Sequence, residues 1–232
     1  LLPYSGGLTR NIVQCLEDFE IPLYLSTTVC EIHGKKRVEG VIVAQVGAQR
    51  RPIPETKRYI PCDTLLLSVG LIPENELTHA AGIPIDPVTN GALVDEACQT
   101  RVEGIFACGN VLQVHDLVDY VSGEAERAGL GAAAYLDGKA DCGTSVAVRP
   151  GYGVRYVLPQ HVHTDAQEDL SLILRVTQPF GAVRYTVKSG DTVLATAGRF
   201  RAAPGEMEKL TVKAELLHTV TQDITVSLEV EA

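Results

Sequence analysis

At 232 residues the chain has room for about two domains of ordinary size. With 45% apolar and 21% charged residues it can bury a proper core, and its net charge of −9 argues against nucleic acid or an anionic membrane surface as the main partner. The longest apolar stretches, such as residues 65–72, are too short to span a bilayer, and no secretory-signal pattern opens the chain. The six cysteines include no Cys-x-x-Cys pair and no zinc-like Cys/His spacing. They suit packing in a reducing, cytoplasmic setting and point away from a metal site or a redox disulfide. The chain opens on Leu1 and its only methionine is Met207, so it reads as the back portion of something longer.

In chain order, the apolar spacing of Leu8, Ile12, Val13, Leu16 and Phe19 predicts a helix over 8–19, with Ser5-Gly6-Gly7 as its starting turn. Extended chain over 21–32, a turn at Gly34-Lys35-Lys36 and a strand over 38–46 form a hairpin. A polar excursion over 50–57 precedes a return to the sheet at 59–62 and a buried strand over 64–69, which ends at Gly70 and Pro73. Residues 80–95 alternate short strands and turns, and residues 105–108 read as a short buried strand ending at Gly109. A second helix over 115–136 has its apolar face on Leu117, Val118, Val121, Ala125, Ala128, Ala132 and Leu136, and stops at Gly138. Gly123, Gly129 and Gly131 within it indicate close packing against a neighbour or a ligand.

Beyond Cys142 the period changes from helical to two. Residues 170–176 and 224–230 alternate apolar and polar, spoiled only by Ile173, and Ser189-Gly190-Asp191 makes a hairpin turn. This predicts a helix-free β-sandwich of half-buried antiparallel strands over 143–232. The fold class is therefore α/β followed by an all-β, sandwich-like C-terminal domain.

Two glycine strings imitate a dinucleotide fingerprint. Gly129-Leu130-Gly131 lies late in a helix and Gly151-Tyr152-Gly153 opens the β-domain, whereas the fingerprint works only at a strand-to-helix turn. His161 and His163 share a strand face without a third ligand, so a solvated face is preferred to a metal site. Asp116 and Asp119 are assigned to the electrostatics of the helix start, and residues 124–127 to helix surface. No hydrolase triad and no catalytic acid or base stands out.

The Gly109-Asn110 corner carries more chemistry. Ligands of open α/β sheets sit beyond the carboxyl ends of strands, and Gly109 lets backbone approach one closely. A helix N-terminus beside that corner suits a flavin, which gathers negative charge at its pyrimidine edge on reduction. Asn110 can bond a ribityl hydroxyl through its amide. A plain strand–loop–helix unit without a ligand fits the same residues.

Residues 62–75 resemble the strand that closes the nicotinamide-nucleotide domain of flavoproteins with two dinucleotide-binding domains. Residues 100–111 are similar to their second flavin motif, and residues 115–136 to the helix after it. The family is the pyridine nucleotide-disulfide oxidoreductase superfamily. Its flavour resembles sarcosine or opine oxidase α-subunits and the flavoproteins that accompany anaerobic glycerol-3-phosphate dehydrogenase.

The resemblance implies a partial two-dinucleotide-binding-domain fold, with residues 1–79 closing an NAD(P)-binding domain and 80–142 forming the second segment of an FAD-binding domain. It implies FAD and NAD(P) as cofactors and hydride transfer between them. Gly109, Asn110 and Val111 would face the ribityl and phosphate region, and Leu117 and Val118 would offer amides near the flavin pyrimidine. Gly70 and Pro73 would lie near the nicotinamide nucleotide. Asn110 departs from the family's usual aspartate, the redox cysteine pair is absent, and both Gly-rich βαβ units would lie before Leu1. The segment alone is then expected to be inactive. The competing reading is a non-catalytic assembly module whose β-domain docks a partner subunit, and association with other oxidoreductase subunits or a second copy stays open.

Overall fold

The structure, a computed structural model, describes residues 2–6, 8–139 and 143–231. The chain forms two compact units, residues 1–70 and 71–232.

In the first unit, helix α1 (Thr9–Ile12) runs into a wider π turn, Val13–Glu17, and neither buries a residue. Leu8 caps it without a side-chain bond, and part of the expected Ser-Gly-Gly turn (position 7) lies outside the described residues. The expected hairpin forms: β1 (Thr27–His33) pairs antiparallel with β2 (Gly40–Gln45), which pairs with β3 (Arg58–Pro61). Gly40, Val41, Val43 and Ala44 are the buried residues of the central strand.

The strand expected over 64–69 does not form. Residues 64–70 have no ladder partner, and Leu66 and Val69 are 88% and 89% exposed. Their apolar character is that of a strand buried on both faces, but such a strand needs neighbours to pair with, and the described residues of this unit provide none beyond β3.

The second unit begins with α2 (Glu76–Ala80) and a run of turns closed by the single bridges Ile85↔Ala92, Val94↔Thr100 and Gln99↔Phe106. Residues 105–108 therefore contribute one bridge, not a strand. Ile105 is exposed and Phe106 to Cys108 are only half-buried, because the tight reversal at Gly104 (φ +77°) pairs them on one edge alone. A 3₁₀ turn, Gly109–Val111, leads to α3 (Val118–Leu136). That helix ends as expected at Gly138 (φ +68°), with the Lys139 amide donating to Ala134.

Helix α3 buries only part of the face its apolar residues suggest: Val121 and Ala132 are half-buried on it. Glu124 and Ala128 are buried, whereas Val118, Ala125 and Leu136 are exposed. Gly131 is the glycine that packs closely: a Cβ there would fall 2.5 Å from the Ala97 carbonyl oxygen, while Gly123 and Gly129 face open space.

The β part holds β4 (Ser145–Pro150), β5 (Val154–Leu158), β6 (His161–His163), β7 (Leu170–Val176), β8 (Val183–Ser189), β9 (Thr192–Arg199), β10 (Glu208–Val212) and β11 (Ile224–Val230). One sheet has the order β10-β7-β5 and the other β6-β4-β11-β8-β9. Leu170, Leu172, Leu174 and Val176 join Ile224, Val226 and Leu228 in one core, as their alternation predicts. Gly190 (φ +56°) turns the β8–β9 hairpin. Two expectations need correction. A one-turn helix α4 (Ala214–Leu217) sits between β10 and β11, and β11 runs parallel to β4.

Ile173 is buried although it points away from the main core. Its face of the smaller sheet is also covered: Tyr156 and Leu158 of β5 pack with Ile83, Ala92, Val94 and Leu112 in a second core. The Gln160 side chain accepts from the Val94 amide at 3.1 Å, and the Gln160 amide donates to the Val94 carbonyl at 3.1 Å. The turn-rich segment and the β sheets are thus one packed body.

Candidate functional site

The Gly109 corner is built by side chains that reach it from several elements. Gly109 holds φ +75°, a region that favours glycine, and a Cβ there would lie 3.3 Å from Val121 of α3. Its amide donates to Glu124 Oε2 at 2.6 Å. Asn110 is exposed, and its Oδ1 accepts from the His115 amide at 3.1 Å, which draws the loop after the turn back toward it. Asn75, only 6% exposed, donates to the carbonyls of Val111 at 2.8 Å and Asn90 at 2.6 Å. Gly91 is required beside it, since a Cβ would overlap the Leu112 carbonyl.

Glu124 is therefore a buried acceptor and not helix surface. Its other oxygen lies 3.5 Å from His115 Nε2, and His115 Nδ1 is 3.1 Å from the Gln113 carbonyl, to which it donates. Asp116 likewise does not serve the helix start. Its carboxylate pairs with Arg175 of β7 and accepts from the Met207 amide at 2.7 Å. Asp119 remains in the first turn of α3.

Leu117 caps α3 with extended backbone and no side-chain hydrogen bond, and Val118 is exposed. The Tyr120 amide turns back to the Leu117 carbonyl at 3.2 Å, and no capping side chain takes the other opening amides of this helix of 19 residues. The structure brings Gly109, Asn110 and Val111 together with the start of α3. Gly70 is exposed at φ +96° in the first unit, and Pro73 is half-buried in the second.

The thiols nearest this corner are not poised for disulfide exchange. Burial pushes the Cys98 thiol up to about 12, and burial followed by the charge of Glu124 raises Cys108. His161 and His163 are half-buried, and each meets a charged side chain. His161 meets the Arg101 guanidinium at 2.6 Å, and His163 Nδ1 lies 2.9 Å from Glu96 Oε1. Both glycine strings sit where a fingerprint cannot work, one inside α3 and the other in the β4–β5 turn.

Glu124 had a legible signal: it shares the helical spacing of Val121 and Ala128, so a charge on a packed face is readable in the sequence. Arg175 had none, because its partner lies 59 residues away.

The corner combines a left-handed glycine, an exposed amide side chain and a helix start without a side-chain cap, groups that can donate hydrogen bonds to an anion or a hydroxyl. The chain belongs to the pyridine nucleotide-disulphide oxidoreductase family, which it matches over residues 4–137. The family's members are flavoproteins that use FAD and a nicotinamide nucleotide. The chain is 31% identical over 114 residues to an NADH oxidase of Streptococcus pneumoniae, an alignment covering 49% of the chain and 22% of that protein. It is 30% identical over 132 residues to an NADH oxidase of Methanocaldococcus jannaschii, covering 57% and 26%. Ferredoxin--NADP reductase 2 of Bacillus velezensis is 26% identical over 134 residues, covering 56% and 38%. The chain thus spans well under half the length of these relatives.

Proposed function

We propose that the chain is the C-terminal part of an FAD-dependent, NAD(P)-linked oxidoreductase that passes hydride between nicotinamide and flavin. The observation that carries this reading is the meeting of the Gly109–Val111 turn with the start of α3, tied by Asn110 to the His115 amide and by Gly109 to Glu124. FAD, when bound, would accept the hydride. Asn110 would hold a ribityl oxygen: its Oδ1 is engaged within the chain, so its amide nitrogen is the atom left to donate. Gly109 and Val111 would let backbone lie against the ribityl and phosphate groups. The amides at Leu117 and Val118 would meet the pyrimidine edge, where the helix dipole favours negative charge. Gly70 and Pro73 are assigned to the nicotinamide nucleotide.

On this reading residues 1–79 close the NAD(P) domain, 80–142 belong to the FAD domain, and 143–232 are a β-sandwich, its two sheets sharing one core. The exposed residues 66–72 and the outer face of α3 are where the Gly-rich units of the longer protein would pack, since no such unit lies in this chain. Without those units the segment alone would not hold either cofactor. The sarcosine- and opine-oxidase flavour and a cytoplasmic location belong to the same proposal; among the described residues no helix is long and apolar enough to cross a membrane.

The test is to purify the full-length parent and add NADH or NADPH. A visible flavin band that bleaches supports the reading, and a colourless protein ends it. A docking role for the β part is a second reading, favoured by Phe200 and Tyr152, which are 99% and 70% exposed on it. One relative, the ferredoxin--NAD(+) reductase component of an anthranilate dioxygenase system from Burkholderia cepacia, is itself part of a multi-component system.

A further inference from the structure

The loop over 112–116 joins Asn110 to the start of α3, and nearly every residue in it is held by the β part. Leu112 is packed against Tyr156 and Leu158. The Gln113 side chain donates through Nε2 to the Met207 sulfur at 3.7 Å. Arg175 reaches the loop from β7: Nη2 donates to the Val114 carbonyl at 2.9 Å and pairs with Asp116. The guanidinium is itself fixed, with Nε donating to the Tyr156 hydroxyl at 2.9 Å and Nη1 to the Pro204 carbonyl at 3.2 Å. The second oxygen of Asp116 takes the Met207 amide. The Arg175 and Asp116 side chains are 13% and 11% exposed, so the pair is shielded from screening.

A guanidinium spread over three elements is a rigid fork, and what it fixes here is the backbone between two parts of one candidate half-site. We propose that Arg175 is a positioning residue for the flavin: through Val114 and Asp116 it sets where the opening amides of α3 stand relative to Asn110, so the C-terminal β part is a structural component of the cofactor site. This rests on the flavin reading above. Reduced flavin gains from the helix dipole only if those amides stay aimed at its pyrimidine edge, so loosening the loop lowers both affinity and midpoint potential.

The experiment uses the full-length protein with Arg175→Met, Asp116→Asn and the paired Arg175→Met/Asp116→Leu, the last replacing a buried ion pair by apolar groups so that the fold is retained. Leu217→Ala, in the main β core away from the loop, is the stability control. Amide exchange at His115 and Met207, the flavin dissociation constant and the midpoint potential are read for each. Expected are faster exchange at both amides, about tenfold weaker flavin binding from each brace variant, in line with a loss typical of one charged hydrogen bond, and a more negative potential. The control should lower the melting temperature and leave affinity and potential unchanged. Faster exchange with unaltered flavin binding and potential overturns the proposal, as does a control that shifts the potential as far as the brace variants. A wild-type protein that binds no flavin while its loop amides remain protected defeats the flavin reading itself, and this proposal with it.

Discussion

Glu124 supplies the acceptor for an amide that has been folded away from water. Removing it with Glu124→Ala leaves the Gly109 amide buried without a partner, expected to cost about 2 kcal/mol in chemical unfolding. Glu124→Gln keeps an oxygen in place and should cost less than half of that; equal losses would show that the bond to Gly109 contributes nothing. Asp95 is a second residue whose setting has a measurable consequence. Burial, followed by the charge of Glu96, raises its carboxyl from the ordinary 3.8 to about 6, against the opposing amides of Gln99 and Ala97. The folded protein therefore holds this proton more tightly than the unfolded chain. The resulting stability is present below about pH 4 and is lost as pH rises through about 6. Asp95→Asn should flatten the stability profile between those values, and an unchanged profile would contradict the assignment.

Among the elements, α3 shows what a sequence pattern does and does not encode. Its stop at Gly138, the β8–β9 hairpin and the inward alternation of β7 and β11 follow from local backbone preference and period, and all were legible. Its buried face was legible only in part. The helix has apolar or small residues around most of its surface, so periodicity alone does not settle the face, and the choice falls to what Glu124 and Gly131 meet. Residues 64–69 fail for a related reason: composition records that a segment can be buried, while the partner strand is a non-local fact. The glycines of α3 give a direct check. Gly131→Ala should destabilise by about 1–3 kcal/mol through overlap with the Ala97 carbonyl, whereas Gly129→Ala, facing open space, should stabilise by up to about 1 kcal/mol. Thermal melts of the two variants moving in the same direction would mean that the packing of α3 is wrong.

At the scale of the whole molecule, the division visible in the sequence near residue 142 is a change of period and not a break in packing. Tyr156 and Leu158 complete the core beneath Leu112, and Arg175 holds the loop beyond it. Deleting residues 143–232 from the full-length protein should therefore abolish flavin binding along with any partner association. Retained flavin with lost association would instead favour the docking role. The Gly109-Asn110 corner and its following helix were legible because a turn glycine, a polar residue and a helix start are neighbours in the chain. The supports from Asn75 and Arg175 were not, since each acts across a long stretch of sequence, whereas Glu124 was signalled by its helical spacing with Val121 and Ala128. The most direct measurement is the visible spectrum of the purified full-length protein beside its Gly109→Val variant. A flavin band bleached by NADH or NADPH in the wild type, and lost in a variant that still folds, is the predicted result. A variant that keeps its full flavin content would contradict the account.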